Sequence, residues 1–302
     1  MQSFRFSIIF TFVFTFTSLV YAERLPEGHL LAPRDLEPLT LNGIERLGGN
    51  NFWKKKLDKC NDNFFHMACS LKEGILKSKS SHKFFKEHTF ADMTFFGETH
   101  TKPVMQMVFA QLIKNINDKK VRALGLEMFN ETSQPMINQY LTNLITLEEL
   151  IKVLESEWNY KSSGYKEIIK VAKEKGLHII ALDNRPEFRY RGLGVGLLER
   201  DKVMAKNLID YKTEFPDNKI IVYTGKLHAF RSLSEENRIL TISEMVEQTI
   251  EGLSRESYLF FEKTSFSPPT VVRNIMQPEI QEDIVIEVSD YRHYIDGLIL
   301  LK

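Results

Sequence analysis

The sequence predicts an α/β domain: a mostly parallel sheet covered by helices on both faces, three layers in all. Two observations carry this. From Asp92 onward, short apolar runs rich in β-branched residues alternate with amphipathic stretches. That is the pattern of buried parallel strands and their crossover helices. The composition is globular, with 302 residues, 43% of them apolar and 26% charged. Met93–Phe96 reads as the first strand. Val104, Met105, Val108, Phe109, Leu112, Ile113 and Ile116 recur at helical spacing behind Pro103. Val121–Leu126 is the next strand. Residues 131–160 break the alternation with helices, long enough for a lid or cap. Tyr165, Ile168, Ile169 and Ala172 form a helical stripe closed by Gly176. His178–Leu182 is a strand, and Leu197, Met204, Leu208 and Tyr211 share a helix face. Lys219–Thr224, Tyr258–Phe261, Ile284–Val288 and Leu298–Leu301 complete the strands. The glycines at 192, 194 and 196 are preceded by no strand and read as a loop.

Three segments are expected: a leader over 1–22, an N-terminal extension over 23–91, and the α/β domain over 92–302. The leader is Arg5 and then the uncharged run Phe6–Ala22. A basic start, an apolar middle and a small final residue make a secretory signal peptide, cleaved before Glu23. The alternative is an uncleaved anchor, but the run is shorter than the roughly 20 residues of a spanning helix. The mature chain is therefore expected in the periplasm or cell envelope. The extension is irregular, with helical pieces near Asn51–Lys59 and Phe64–Lys77. His82 and His88 flank its Lys-rich stretch as solvated surface. Cys60 and Cys69 would meet an oxidising compartment. A continuous helix would hold them about 13 Å apart, so a bridge needs a break at Asn61–Asn63; two unpaired cysteines are the other reading. One His66 between them is no recognised zinc spacing. Forty Lys and Arg balance forty Asp and Glu. With no basic surplus, no nucleic-acid partner is expected.

In open α/β sheets, ligands bind at the carboxyl ends of the strands. Four predicted strands run into polar residues there: Gly97-Glu98-Thr99-His100, Glu127 to Asn130, Asp183-Asn184-Arg185-Pro186, and Gly225-Lys226-Leu227-His228. Two are Gly-x-x-His, in which glycine permits a tight exit from the strand. Two imidazoles and several carboxylates from different strands suit a divalent metal or acid–base chemistry. In the metal reading His100, His228 and Glu127 hold the ion and Glu98 is the general base. The alternative for each histidine is a packed or capping role, and Glu127 alone could cap a helix. Arg200 sits on the apolar stripe of its helix, where its partner is either an inward carboxylate or anionic ligand, or Asp201 or Glu199 at the surface. A histidine at a sheet edge buries little, so His228→Ala is expected to cost about 1 kcal/mol or less while weakening ligand binding strongly. A packed His228 would reverse that pattern. No Gly-x-Ser-x-Gly, P-loop, dinucleotide fingerprint or His-Glu-x-x-His is present.

At these residues the sequence resembles the ChaN-like family, within the wider Tiki/TraB and erythromycin-esterase-like superfamily. The matching motifs are Phe96-Gly-Glu-Thr-His100, Leu124-Gly-Leu-Glu-Met-Phe129, Trp158-x-Tyr160, Ala181-Leu-Asp-Asn-Arg-Pro186, Arg200 with Met204, Tyr223-Thr-Gly-Lys-Leu-His228 and Asp296-Gly-Leu-Ile-Leu300. They span about residues 92 to 301 in the family's order. The resemblance implies a three-layer fold, export to the envelope, and haem binding linked to iron uptake. It also implies cousins that are metal-dependent hydrolases using paired Gly-x-x-His motifs and a glutamate. On that basis Glu98, Glu127, Asn184 and Arg200 are the candidate catalytic residues. Tyr160 and Tyr165 are candidate haem ligands by neighbourhood, with core aromatics as the alternative. Expected cofactors are haem or a divalent metal. Expected partners are haem or another small molecule, an envelope transport partner, and a second copy of the chain.

Overall fold

The structure is a computed structural model and describes residues 79–158, 163–184, 193–230, 240–262, 283–287 and 296–301. The leader, the extension's two helical pieces, Cys60, Cys69, His66, Tyr160, Arg185 and Pro186 lie outside these residues.

Eight strands form one sheet: β1 (Lys79–Ser80), β2 (Met93–Glu98), β3 (Val121–Asn130), β4 (His178–Asp183), β5 (Lys219–Gly225), β6 (Arg255–Glu262), β7 (Ile284–Glu287) and β8 (Gly297–Leu301). Their order is β1-β7-β8-β6-β2-β5-β3-β4. The six strands from β8 to β4 are parallel; β7 and β1 add an antiparallel edge. Each parallel strand reads as a continuous apolar run because both of its faces are covered.

Helices α1 (Ser81–Glu87), α2 (Pro103–Asn115), α3 (Gln134–Leu141), α4 (Leu147–Glu157) and α5 (Ser163–Glu174) pack with one face. Helix α6 (Leu193–Glu214) covers the other, with α8 (Ile242–Thr249) against it; α7 (Lys226–Ala229) is a single turn after β5. Strand alternation divides the two cores. Ile221 and Tyr223 join the aromatic cluster of Phe96, Phe109, Tyr258 and Phe260, while buried Ile220 and Val222 point the other way. A Cβ on Gly125 would lie 3.0 Å from Leu182 and 3.2 Å from Leu208 of α6, which is how closely α6 lies on the sheet.

Local signals set the helix ends. Pro103 opens α2, where its missing N–H costs nothing. Thr146 with Glu149 and Thr241 with Glu244 are capping boxes. Gly176 stops α5 at φ 66°, and the Leu177 N–H returns to the Ala172 carbonyl at 2.9 Å. A residue with a β-carbon would be strained at that position.

Four readings change. Gly194 and Gly196 fall inside α6, not in a loop. The segment after β3 is no detached cap: Ile137, Leu150 and Leu154 are fully buried in the core. His88 is not solvated surface, since it stacks on Phe84 at 4.9 Å and its Nε2 is 2.8 Å from Glu256. Strand β1 and helix α1, with Phe84 and Phe85 buried, belong to the same unit as the sheet, which therefore begins upstream of residue 92.

Candidate functional site

The chain passes from β2 outward to β3 and β4, returns to insert β5 between β2 and β3, and then places β6 on the far side of β2. Such a reversal of direction opens a crevice at the carboxyl ends of the strands. Both Gly-x-x-His segments leave the sheet there at one height, with Glu98 paired to Gly225 and Gly97 to Thr224. The glycines serve close approach. A Cβ on Gly97 would come within 2.6 Å of Leu259 and 2.8 Å of Ala229, and one on Gly225 within 2.7 Å of His100 Nε2. Neither has a positive φ. Their role is therefore space rather than the turn conformation the motif suggested.

Glu127 is the hub of the cluster. Its Oε1 accepts from Arg200 Nη2 at 2.6 Å and faces Nε2 of His228 at 3.4 Å and of His100 at 3.8 Å. Its Oε2 accepts the Gly225 N–H at 2.5 Å. Arg200 also forks onto Asp183, with Nε and Nη2 each donating at 2.9 Å. His228 Nδ1 is bonded to Asp201 Oδ1, and His100 Nδ1 lies 2.9 Å from Glu98 Oε1. Tyr165 donates to Glu98 Oε1, and Tyr223 donates to its Oε2 at 2.9 Å. Asn184 lies beside Asp183, with its N–H on Oδ1 at 2.8 Å. Glu98, Glu127, Asp183, Asp201 and His228 are buried; the side chains of His100 and Arg200 keep 19% and 15% exposure.

The charges sustain one another. Burial alone would raise the Glu127 carboxyl, but His228, His100 and Arg200 hold it well below the ordinary range. Burial depresses His228, yet Glu127 and Asp201 outweigh it and push the imidazole up to about 10. His100 is likewise raised by Glu127 and Glu98 against its burial. Burial raises Asp201. These directions set how stability depends on pH. Stability from His228 is complete below its ordinary 6.5 and is lost as pH climbs to about 10. Stability from Glu127 is present above its ordinary 4.5 and is lost as pH falls through its depressed value. The melting temperature should therefore be highest between these limits and decline towards pH 10, and His228→Gln should flatten that decline. A flat wild-type profile over the alkaline range would contradict the assignment.

The structure brings together Glu98, His100, Glu127, Arg200 and His228, with Asn184 buried beside Asp183. Arg200 takes inward carboxylates, Glu127 and Asp183, rather than Glu199 or Asp201. One assignment changes, and for Tyr165 the core-aromatic reading is the one that fits. Glu98, bonded to Tyr165, Tyr223 and His100 and 2% exposed, orients His100 and is not placed to take a proton from water. Tyr165 is a packed aromatic with its hydroxyl committed to Glu98. Asp201 and Tyr223 were not among the candidate site residues. Asp201 does lie on the Met204–Leu208 stripe at helical spacing, and Tyr223 alternates with Ile221; those were the available signals.

The donor set does not fit a divalent metal. Among the described residues no group of His, Cys, Asp and Glu is disposed to hold one. The place of a cation beside Glu127 is taken by the Arg200 guanidinium, 2.6 Å from Oε1.

No curated protein matches the chain. Residues 84–190 match the family of haem-binding uptake proteins of the Tiki superfamily, ChaN. That segment holds Glu98, His100, Glu127, Tyr165, Asp183 and Asn184, and over it the ChaN-like resemblance stands. Similar solved structures include ChaN of Campylobacter jejuni with cofacial heme binding, 15% identical, covering 70% of this chain and 88% of that one at a TM-score of 0.42. They also include the type III effector HopBA1, 10% identical over 70% and 88% at 0.48. An erythromycin esterase mutant, EreC, in its open conformation is 11% identical over 74% and 96% at 0.47.

Tyr165 is not placed to ligate haem. The Tyr165 phenol is fully buried and its pKa is raised by burial and by Glu98, so it keeps its proton. His100 holds Nδ1 on Glu98 at 2.9 Å and Nε2 3.8 Å from Glu127 Oε1. Tyr160 lies outside the described residues. Among those residues, no helix is long and apolar enough to cross a membrane.

Proposed function

We propose that the chain is an exported haem-binding protein that serves iron uptake at the cell envelope, and that it holds haem outside the buried cluster. The family match over residues 84–190 carries the haem reading. The uncharged run Phe6–Ala22 behind Arg5 supports export. An envelope transport partner and a second copy of the chain are the protein partners this reading calls for. Titrating haem into the purified mature chain should give a saturable shift of the Soret band. A linear rise matching haem in buffer would overturn the reading.

A second reading rests on a different observation: His100, partly exposed, is set between two buried carboxylates, with its pKa raised. That is the arrangement of a general acid–base. In a hydrolysis, the oxygen of water would bond to the acyl carbon while its proton passes to His100. The same proton would then move to the leaving oxygen as the old C–O bond breaks.

A further inference from the structure

We infer that Tyr165 and Tyr223 are positioning residues that fix which ring nitrogen of His100 carries its proton. The inference deepens the acid–base reading and rests on it. The two phenols come from different elements, α5 and β5, and converge on the two oxygens of one buried carboxylate, Glu98. Tyr223 is held by Phe109, stacked at 3.9 Å between centroids and 11° between planes. Tyr165 is held by the core stripe of α5 and by Trp158, edge-on at 6.3 Å. Trp158 also meets the His100 ring edge-on at 4.9 Å.

Donors and acceptors around Glu98 decide the tautomer. Burial first, and then the charge of Glu98, raise both phenols above the ordinary tyrosine range, so both keep their protons. A phenol that keeps its proton beside a carboxylate donates to it, so Glu98 is an acceptor at both oxygens. His100 Nδ1 shares Oε1 at 2.9 Å, with the Tyr165 hydroxyl farther off at 3.5 Å and already donating to Glu98. An acceptor at the shorter distance requires N–H on Nδ1. Neutral His100 is thereby the Nδ1–H tautomer, with its lone pair on Nε2, the nitrogen that faces Glu127. Removing the hydroxyls would leave Glu98 able to turn and His100 able to take either tautomer.

The test is nitrogen-15 NMR of the histidines in the full mature chain, at a pH where His100 is neutral. Wild type should show Nδ1 protonated and Nε2 unprotonated. Tyr165→Phe and Tyr223→Phe keep the rings, and each should give a mixture of tautomers, with the double variant more evenly mixed. Should the double variant fail to fold, the single variants and Glu98→Gln read the same effect. A purely structural role would lower the melting temperature without moving the tautomer signals, and that result overturns the inference. Protonated Nε2 in the wild type overturns it as well. Turnover of a panel of aryl esters by the same wild-type sample is read separately. Its absence sinks the acid–base reading and leaves the tautomer result standing.

Discussion

Glu127→Gln is expected to lower folding stability by about 3 kcal/mol or more, among the largest effects of any single substitution here. The new side chain keeps the volume and loses the charge. Arg200, His228 and His100 all face that charge, at 2.6, 3.4 and 3.8 Å. Without it, Arg200 retains Asp183 and His228 retains Asp201, but two buried cations share one anion fewer. Breaking one member of a buried network leaves a charge without compensation, which is why the loss exceeds that of a surface pair. Denaturant unfolding measures it as a lower midpoint at unchanged slope. A change below about 1 kcal/mol, the range of an exposed ion pair, would mean that Glu127 does not organise the site.

His228→Ala should be nearly as damaging, at about 2–4 kcal/mol. The sequence suggested about 1 kcal/mol or less, on the ground that a residue at a sheet edge buries little. The structure removes that ground. His228 sits on the one-turn helix after β5, is 4% exposed, and bridges Asp201 and Glu127. Deleting the ring empties its space and leaves Asp201 and Glu127 facing each other without the intervening positive charge. Asp201 should respond by binding a proton, because its carboxyl is already raised by burial and its partner would be gone. The variant should therefore regain part of its stability at acid pH, where that proton comes at no cost. A melting curve of His228→Ala that matches wild type would show that the pair with Asp201 contributes nothing.

Much of the site was legible in the sequence because strand ends are legible. Nearly unbroken β-branched runs mark buried parallel strands, and the residues just past each run must emerge at the same edge. Glu98, His100, Glu127, Asn184 and His228 could be gathered on that reasoning alone. The pairing among them could not be read. For Arg200 an inward carboxylate and a surface pair with Asp201 or Glu199 stood equally open. Helical geometry sends Arg200 to Glu127 and Asp183, and Asp201 to His228. The metal reading failed for the same reason. Residue types fit a metal until the guanidinium of Arg200 is found beside the central carboxylate. The glycines were found for a partly mistaken reason: beyond a tight exit from the strand, they give room to Leu259, Ala229 and His100. Phe84 and Phe85 were missed as core, and His88 as packed against them, because a short helix in a Lys-rich stretch shows its buried side only when the sheet it covers is in place.

Haem titration of His228→Ala beside the wild type, with melting curves on the same samples, separates a self-contained buried network from a ligand site. The prediction is a melting temperature lower by several degrees, with saturable Soret shifts that superimpose for the two proteins at a temperature where both are folded. Loss of the Soret shift in His228→Ala at an unchanged melting temperature would contradict it and place the haem on the cluster itself.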